Sequence, residues 1–163
     1  MAVFPHFGKA LVYIETNERG LEAARYAIAC AKRTGGELHA VAVVNERILE
    51  ELTKARVFLK EEGLDLRRDV EEDGKRYLAL VQRLAHEKEV RVTTELLHGV
   101  VHREILDKAR EINASIIILG EIEESLSRKD TTFNESERVL CDARCPVLIV
   151  KGRRLVKDFF DSA

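Results

Sequence analysis

The stretch SIIILGEIEES, residues 115–125, has the residue types of a phosphate-binding turn at its start and the wrong ones after it. An apolar run ends at Gly120, and a glycine in that place lets backbone N–H groups approach a phosphate closely. Glu121, Glu123 and Glu124 follow at once. Carboxylates within about 6 Å of a phosphate would each oppose it by roughly 1 to 3 kcal/mol at an effective dielectric near 20. The segment therefore predicts weak binding of polyphosphate, or none.

The next helical segment begins with acidic residues as well. Asn134 and Glu137 have the spacing of a helix N-cap with a reciprocal carboxylate, and Glu135 adds a second negative group to the first turn. Carboxylates there are stabilised by the positive end of the helix dipole, and they compete with any bound anion for that position. We interpret this segment as an ordinary capped helix and not as a phosphate site.

Other chemistry finds little support in the sequence. There is no Gly-x-Ser-x-Gly nucleophile turn and no lysine-containing phosphate loop, so we predict neither a hydrolase nor a kinase. His98 and His102 are four residues apart, but Gly99 lies between them at a predicted strand-to-helix turn. Because that turn does not ensure the shared helix face that metal ligation requires, we predict exposed polar residues and no metal site.

The elements that must position these residues alternate along the chain. Five apolar runs are predicted as strands, at 9–15, 37–45, 90–97, 114–120 and 146–152. Between them lie four regions with helical spacing, and the long charged stretch 46–89 is either one helix or a broken pair, punctuated by Gly63 and Gly74. Alternation of this kind predicts a parallel sheet with helices on both faces. Ligands of such sheets bind at the carboxyl ends of the strands, here near residues 15–17, 43–45 and 120.

Composition predicts one domain. The chain has 163 residues, 45% hydrophobic and 34% charged, and we expect a single α/β domain over residues 1–152 followed by a C-terminal tail, 153–163. A formal charge of -2 offers no long-range field for nucleic acid or anionic lipid.

The sequence has neither a 20-residue apolar span nor a secretory leader, so we expect a cytoplasmic protein. Cys30, Cys141 and Cys145 form no Cys-x-x-Cys pair and are expected to be reduced.

Two stretches resemble the universal stress protein family. They are GVVHREILDKAREINASIIILG, residues 99–120, and SERVLCDARCPVLIVK, residues 136–151. The order of predicted elements is similar over nearly the whole chain. The resemblance implies a small doubly wound domain with strand order 3-2-1-4-5, homodimers, and ATP or AMP binding in some members only.

The loop departs from the nucleotide-binding members of that family in two elements of their motif. Those members carry a second glycine where this chain has Glu123, and a Gly-Ser or Gly-Thr pair where it has Phe133 and Asn134. We therefore predict a non-catalytic, homodimeric stress-response or regulatory module without a cofactor, which acts through an unknown protein partner. The alternative is an ATP or AMP switch with an altered loop. Its contacts would be Glu15, Val43, Gly120, Asn134 and one of Thr131 and Thr132, with Mg²⁺ bridging carboxylates to phosphate.

The last strand and the tail are the candidate association surfaces. In the family the last strand pairs with its twin, so the resemblance implies a dimer interface formed by Val147, Leu148, Ile149 and Val150. An unpaired apolar edge strand invites aggregation, which gives such pairing a physical reason. The basic and aromatic tail is expected to dock Phe159 and Phe160 on the protein body or a partner subunit, the alternative being contact with lipid, RNA or a protein groove.

Overall fold

A computed structural model describes residues 7–55, 60–122 and 135–163 of the chain, apart from the side chains of residues 60 and 61. Its five strands form one sheet in the order β3-β2-β1-β4-β5, and every neighbouring pair is parallel. The strands are β1 (Lys9–Tyr13), β2 (Glu37–Asn45), β3 (Val92–Gly99), β4 (Ile116–Gly120) and β5 (Val147–Val150). The predicted doubly wound sheet and its strand order are confirmed.

Six helices connect or follow these strands in the described residues. They are α1 (Glu18–Thr34), α2 (Glu46–Lys54), α3 (Lys60–Glu87), α4 (Val101–Glu111), α5 (Glu135–Asp142) and α6 (Arg153–Asp161). The stretch 46–89 is thus a broken pair, and both Gly63 and Gly74 lie inside α3. Their mid-helix positions correct the expectation that these glycines punctuate the stretch, because an isolated glycine lowers helix propensity by only about 1 kcal/mol and packing can compensate for that.

Local capping explains two helix ends. Asn17 caps α1 by accepting a hydrogen bond from the Gly20 backbone N–H at 3.1 Å. Gly35, at φ 72°, ends α1 in the left-handed conformation that glycine adopts without strain, and its N–H donates to the Ala31 carbonyl.

The hydrophobic core has two layers, one on each face of the sheet. One layer packs α1, α3 and α6 against the sheet and includes Ile28, Val81 and Phe160. The other packs α4 and α5 and includes Ile105 and Val139. Strand β2 is covered on both sides, which is why its sequence is almost continuously apolar. Strand β3 lies at a sheet edge, as its more open alternation indicates.

The last eleven residues, expected to be a tail, form a helix on the protein body. Val156 and Phe160 of α6 are buried in the core layer that contains α1, and the Phe159 ring lies 5.2 Å from the Tyr26 ring. This contact agrees with the expected docking of both phenylalanines. Two of the three basic residues of this segment face carboxylates, with Arg153 on Glu18 and Glu22 and Lys157 on Asp161, and the preceding Lys151 pairs with Glu121.

Candidate functional site

The carboxyl edge of the sheet holds a cavity of about 310 Å³ beside the ends of β1 and β2. Strand β1 lies between β2 and β4, and the connections run in opposite directions along the sheet on its two sides, so this is the topological switch point at which open α/β sheets bind ligands. Apolar side chains form most of the lining, which consists of Tyr13, Ile14, Glu15, Thr16, Asn17, Ala42, Val43, Asn45, Ile48, Leu49, Val70, Gly74, Leu96 and Val101. Two of the predicted contacts, Glu15 and Val43, therefore lie together here.

The Glu15 carboxylate is already engaged with its neighbours. Its Oε2 accepts a hydrogen bond from Asn17 Nδ2 at 2.7 Å and lies 3.5 Å from Arg19 Nε. Because the same Asn17 side chain caps α1, the end of β1 and the start of α1 form one hydrogen-bonded unit. Arg19 is thereby placed against a carboxylate of the protein.

Gly120 is needed for packing, whether or not an anion binds. A Cβ built on Gly120 would lie 2.7 Å from the Arg19 carbonyl oxygen, a distance that real Cβ atoms do not adopt. Only glycine lets the end of β4 approach the first turn of α1 so closely. Next to it, Glu121 pairs with Lys151 at 3.4 Å.

The rest of the expected phosphate loop lies outside the described residues. This applies to Glu123, Glu124, Thr131, Thr132, Phe133 and Asn134. The loop prediction, the Asn134 cap and the contacts proposed for the two threonines therefore stay predictions.

The sequence reasoning missed the contact that dominates this edge. Glu135, the first residue of α5, reaches the N-terminus of α4, where its Oε2 accepts a hydrogen bond from the His102 backbone N–H at 2.8 Å. The same oxygen lies 2.6 Å from His102 Nδ1. The N-cap residue of α4, Val100, has no side chain that could cap the helix, so the carboxylate satisfies a backbone donor that would otherwise lack a partner. No local signal predicts a pair 33 residues apart.

The pKa of Tyr13 reflects the negative charges at the same edge of the sheet. Burial raises the pKa of its phenol far above the ordinary value, and the negative charges of Glu15 and Glu135 raise the pKa further. Two carboxylates thus act on the end of β1. A third negative group, such as a phosphate, would be opposed by both.

The two histidines do not face a common ligand. His98 Nε2 lies 3.1 Å from Glu71 Oε1 on α3, whereas His102 is engaged with Glu135 on α5. Over residues 7–55, 60–122 and 135–163, no three side chains of His, Cys, Asp or Glu gather into a possible metal site.

The predicted dimer strand lies at the other sheet edge. In the described part of the chain β5 pairs only with β4, and its second edge has no strand beside it. Val150 is buried, and Val147, Leu148 and Ile149 are half-buried.

No helix among the described residues is long and apolar enough to cross a membrane.

Comparison with known proteins agrees with this architecture. The model of the "Universal stress protein family" matches residues 6–151. "Universal stress protein MJ0531" of Methanocaldococcus jannaschii is 31% identical over 147 residues, which is 89% of this chain and 82% of that protein. The solved structure of hypothetical protein MJ0577 superposes with a TM-score of 0.72 at 20% identity and covers 90% of this chain and 97% of that one.

A ligand-bound structure is among the similar ones. The universal stress protein from Archaeoglobus fulgidus in complex with dAMP has a TM-score of 0.61 and 17% identity, over 89% of this chain and 98% of that one. At this identity the likeness concerns the fold.

Proposed function

Because the chain belongs to the universal stress protein family, we propose that it is a cytoplasmic, non-catalytic member that acts as a homodimer through contacts with a partner protein. It works without a bound nucleotide. Its activity is therefore association, and its stress-response or regulatory role depends on which protein it contacts.

The contact between Glu135 and His102 carries this proposal. A helix N-terminus beside the switch point is a suitable place for a phosphate, because its backbone N–H groups and dipole favour an anion. Here the Glu135 carboxylate holds the His102 N–H at 2.8 Å. A phosphate entering this position would have to displace a charge-assisted hydrogen bond and then lie next to the displaced carboxylate.

Charge near β1 supports the same conclusion. Glu15 and Glu135 both act on Tyr13, and each would oppose a phosphate about 6 Å away by roughly 1 to 3 kcal/mol at an effective dielectric near 20. Two nearby cations among the described residues are themselves paired, Arg19 with Glu15 and Lys151 with Glu121. Together these contributions would lower the affinity for AMP or ATP by orders of magnitude.

One observation favours a second candidate function, an ATP or AMP switch. The cavity of about 310 Å³ remains open and is lined by both Glu15 and Val43, and a similar fold from Archaeoglobus fulgidus is known in complex with dAMP. In this alternative Gly120, Asn134 and one of Thr131 and Thr132 would complete the contacts, and Mg²⁺ would bridge phosphate to carboxylate. Slow ATP hydrolysis would require such binding first.

Calorimetric titration with AMP and ATP, with and without Mg²⁺, separates the two functions. We expect no binding by the wild-type protein below about 1 mM, which corresponds to a binding free energy near -4 kcal/mol. Glu135→Gln should strengthen any residual binding, because it removes a negative charge but keeps a hydrogen-bond acceptor. Glu137→Gln, on the exposed side of the same helix, is the matched control. Micromolar binding by the wild-type protein would replace our proposal with the switch.

A further inference from the structure

A larger cavity, of about 720 Å³, lies between α4 and α5 on the face of the sheet opposite α1. Ala109, Ile117 and Cys145 form part of its apolar floor. Its charged lining consists of Arg103, Arg110, Arg138, Arg144, Asp107 and Asp142. We call this cavity the arginine groove.

Two of these arginines are available to a ligand. Arg110 is engaged with Asp107 and also donates to the Leu106 carbonyl at 3.3 Å. Arg103 and Arg144, by contrast, are exposed and make no hydrogen bond or ion pair with any residue that the structure describes. Exposed guanidinium groups beside an apolar floor favour a partner with carboxylates and some apolar surface.

The fold separates these two arginines along the groove. Both helices run from the carboxyl edge of the sheet to its amino edge, because each connects parallel strands. Arg103 lies in the first turn of α4, whereas Arg144 follows the end of α5, so the two residues lie toward opposite ends of the groove. Eight helical residues separate Arg103 from Glu111, the last residue of α4, so the groove is about 12 Å long beside that helix.

The length of the groove suits a short extended segment. An extended chain rises about 3.3 Å per residue, so it would span about 12 Å in four residues. Acidic side chains four residues apart on an extended segment would also lie on the same side of it.

We propose that the arginine groove binds an extended acidic segment of a partner protein, with two carboxylates about four residues apart that pair with Arg103 and Arg144. This inference rests on the proposed function, since it identifies the chemistry of the partner through which the protein acts. It assigns an anionic ligand to the groove between α4 and α5 and not to the cavity beside Glu15.

A display library of random nonapeptides tests the proposal. We expect the wild-type protein to enrich peptides with two acidic residues three to five positions apart. The double variant Arg103→Glu/Arg144→Glu should lose this enrichment and bind the selected peptide at least tenfold more weakly. The control Arg83→Glu/Arg154→Glu changes the same charge at exposed sites outside the groove and should stay within twofold of wild type.

A second readout locates the bound peptide without any substitution. Cys145 lies in the groove, whereas Cys30 is on α1 across the sheet, so bound peptide should slow alkylation of Cys145 and leave Cys30 unaffected. The proposal is overturned if acidic pairs are not enriched, if both double variants bind alike, or if Cys145 is not protected. Nucleotide titration and measurement of subunit number do not involve these arginines, so a failure here is distinguishable from a failure of the proposed function.

Discussion

The Lys108 ammonium lies 3.1 Å from the Glu95 carboxylate and thereby ties α4 to the edge strand β3. Lys108 also pairs with Glu111 at 2.7 Å, and Glu95 lies 3.1 Å from His39 on β2. The Lys108 side chain is only 10% exposed, so its charge depends on these partners.

This network predicts an acid-dependent loss of stability. Burial opposes ionisation of Glu95, but hydrogen bonds from Lys108 and His39 outweigh burial and hold the pKa of Glu95 below its ordinary value of 4.5. Because the folded pKa is lowered, the contribution of Glu95 is fully present above 4.5 and disappears as the pH falls through the lower folded value.

Urea unfolding of Glu95→Gln measures that contribution. We expect the free energy of unfolding at pH 7 to fall by about 1 kcal/mol, a modest value because Glu95 is 38% exposed and water screens the pair. The difference from wild type should vanish in acid. Glu87→Gln, an exposed position on α3, is the control, and a difference that does not change with pH would show that the network is not responsible.

Gly20 and Gly63 are predicted to respond to alanine with opposite sign. A Cβ at Gly20 would lie 2.0 Å from the Glu15 backbone oxygen, whereas one at Gly63 would have an ordinary 3.5 Å contact with Thr53 Oγ1. Gly20→Ala should cost about 2 kcal/mol or more because it forces backbone apart. Gly63→Ala should stabilise by up to about 1 kcal/mol through helix propensity. Thermal unfolding of both variants checks the pair, and stabilisation by Gly20→Ala would refute the predicted clash.

Truncating a core side chain should lower the free energy of unfolding more than truncating an exposed one. Ile118 is fully buried in β4, next to β1, so Ile118→Ala is expected to reduce the free energy of unfolding by about 2 to 5 kcal/mol. Ile48→Ala, at a position 49% exposed, should change it by less than about 1 kcal/mol. Denaturant titration compares the two, and similar losses would contradict the assignment of the core.

The proposed dimer strand gives a further prediction. Ile149→Lys places a charge in β5, at the edge without a neighbouring strand, and should yield monomers or insoluble protein. Light scattering measures the subunit number, with Ile48→Lys as a control at an exposed apolar position outside β5. A soluble Ile149→Lys dimer would rule out β5 as the interface.

Much of the fold could be predicted from local patterns. Apolar runs of strand length, helical spacing and the turn residue Gly35 each depend on a few neighbouring residues, and alternation of the elements is sufficient to predict a parallel sheet. The break between α2 and α3 was left open, and α6 was missed, because propensity alone does not show which helical segments find a surface to pack on. For α6 that surface is α1.

The candidate site, like the fold, was predictable in part from local sequence and was decided in part by tertiary contacts. The types of Glu15, Val43 and Gly120 predicted a site at the strand ends, and the structure places Glu15 and Val43 together in one cavity, whereas the predicted weakness of phosphate binding stays a prediction. The contact of Glu135 with His102, the need for glycine at position 120 and the separation of Arg103 from Arg144 were decided by tertiary structure. These relationships join residues far apart in sequence, and a carboxylate can cap a helix from any element that the fold brings within hydrogen-bonding distance.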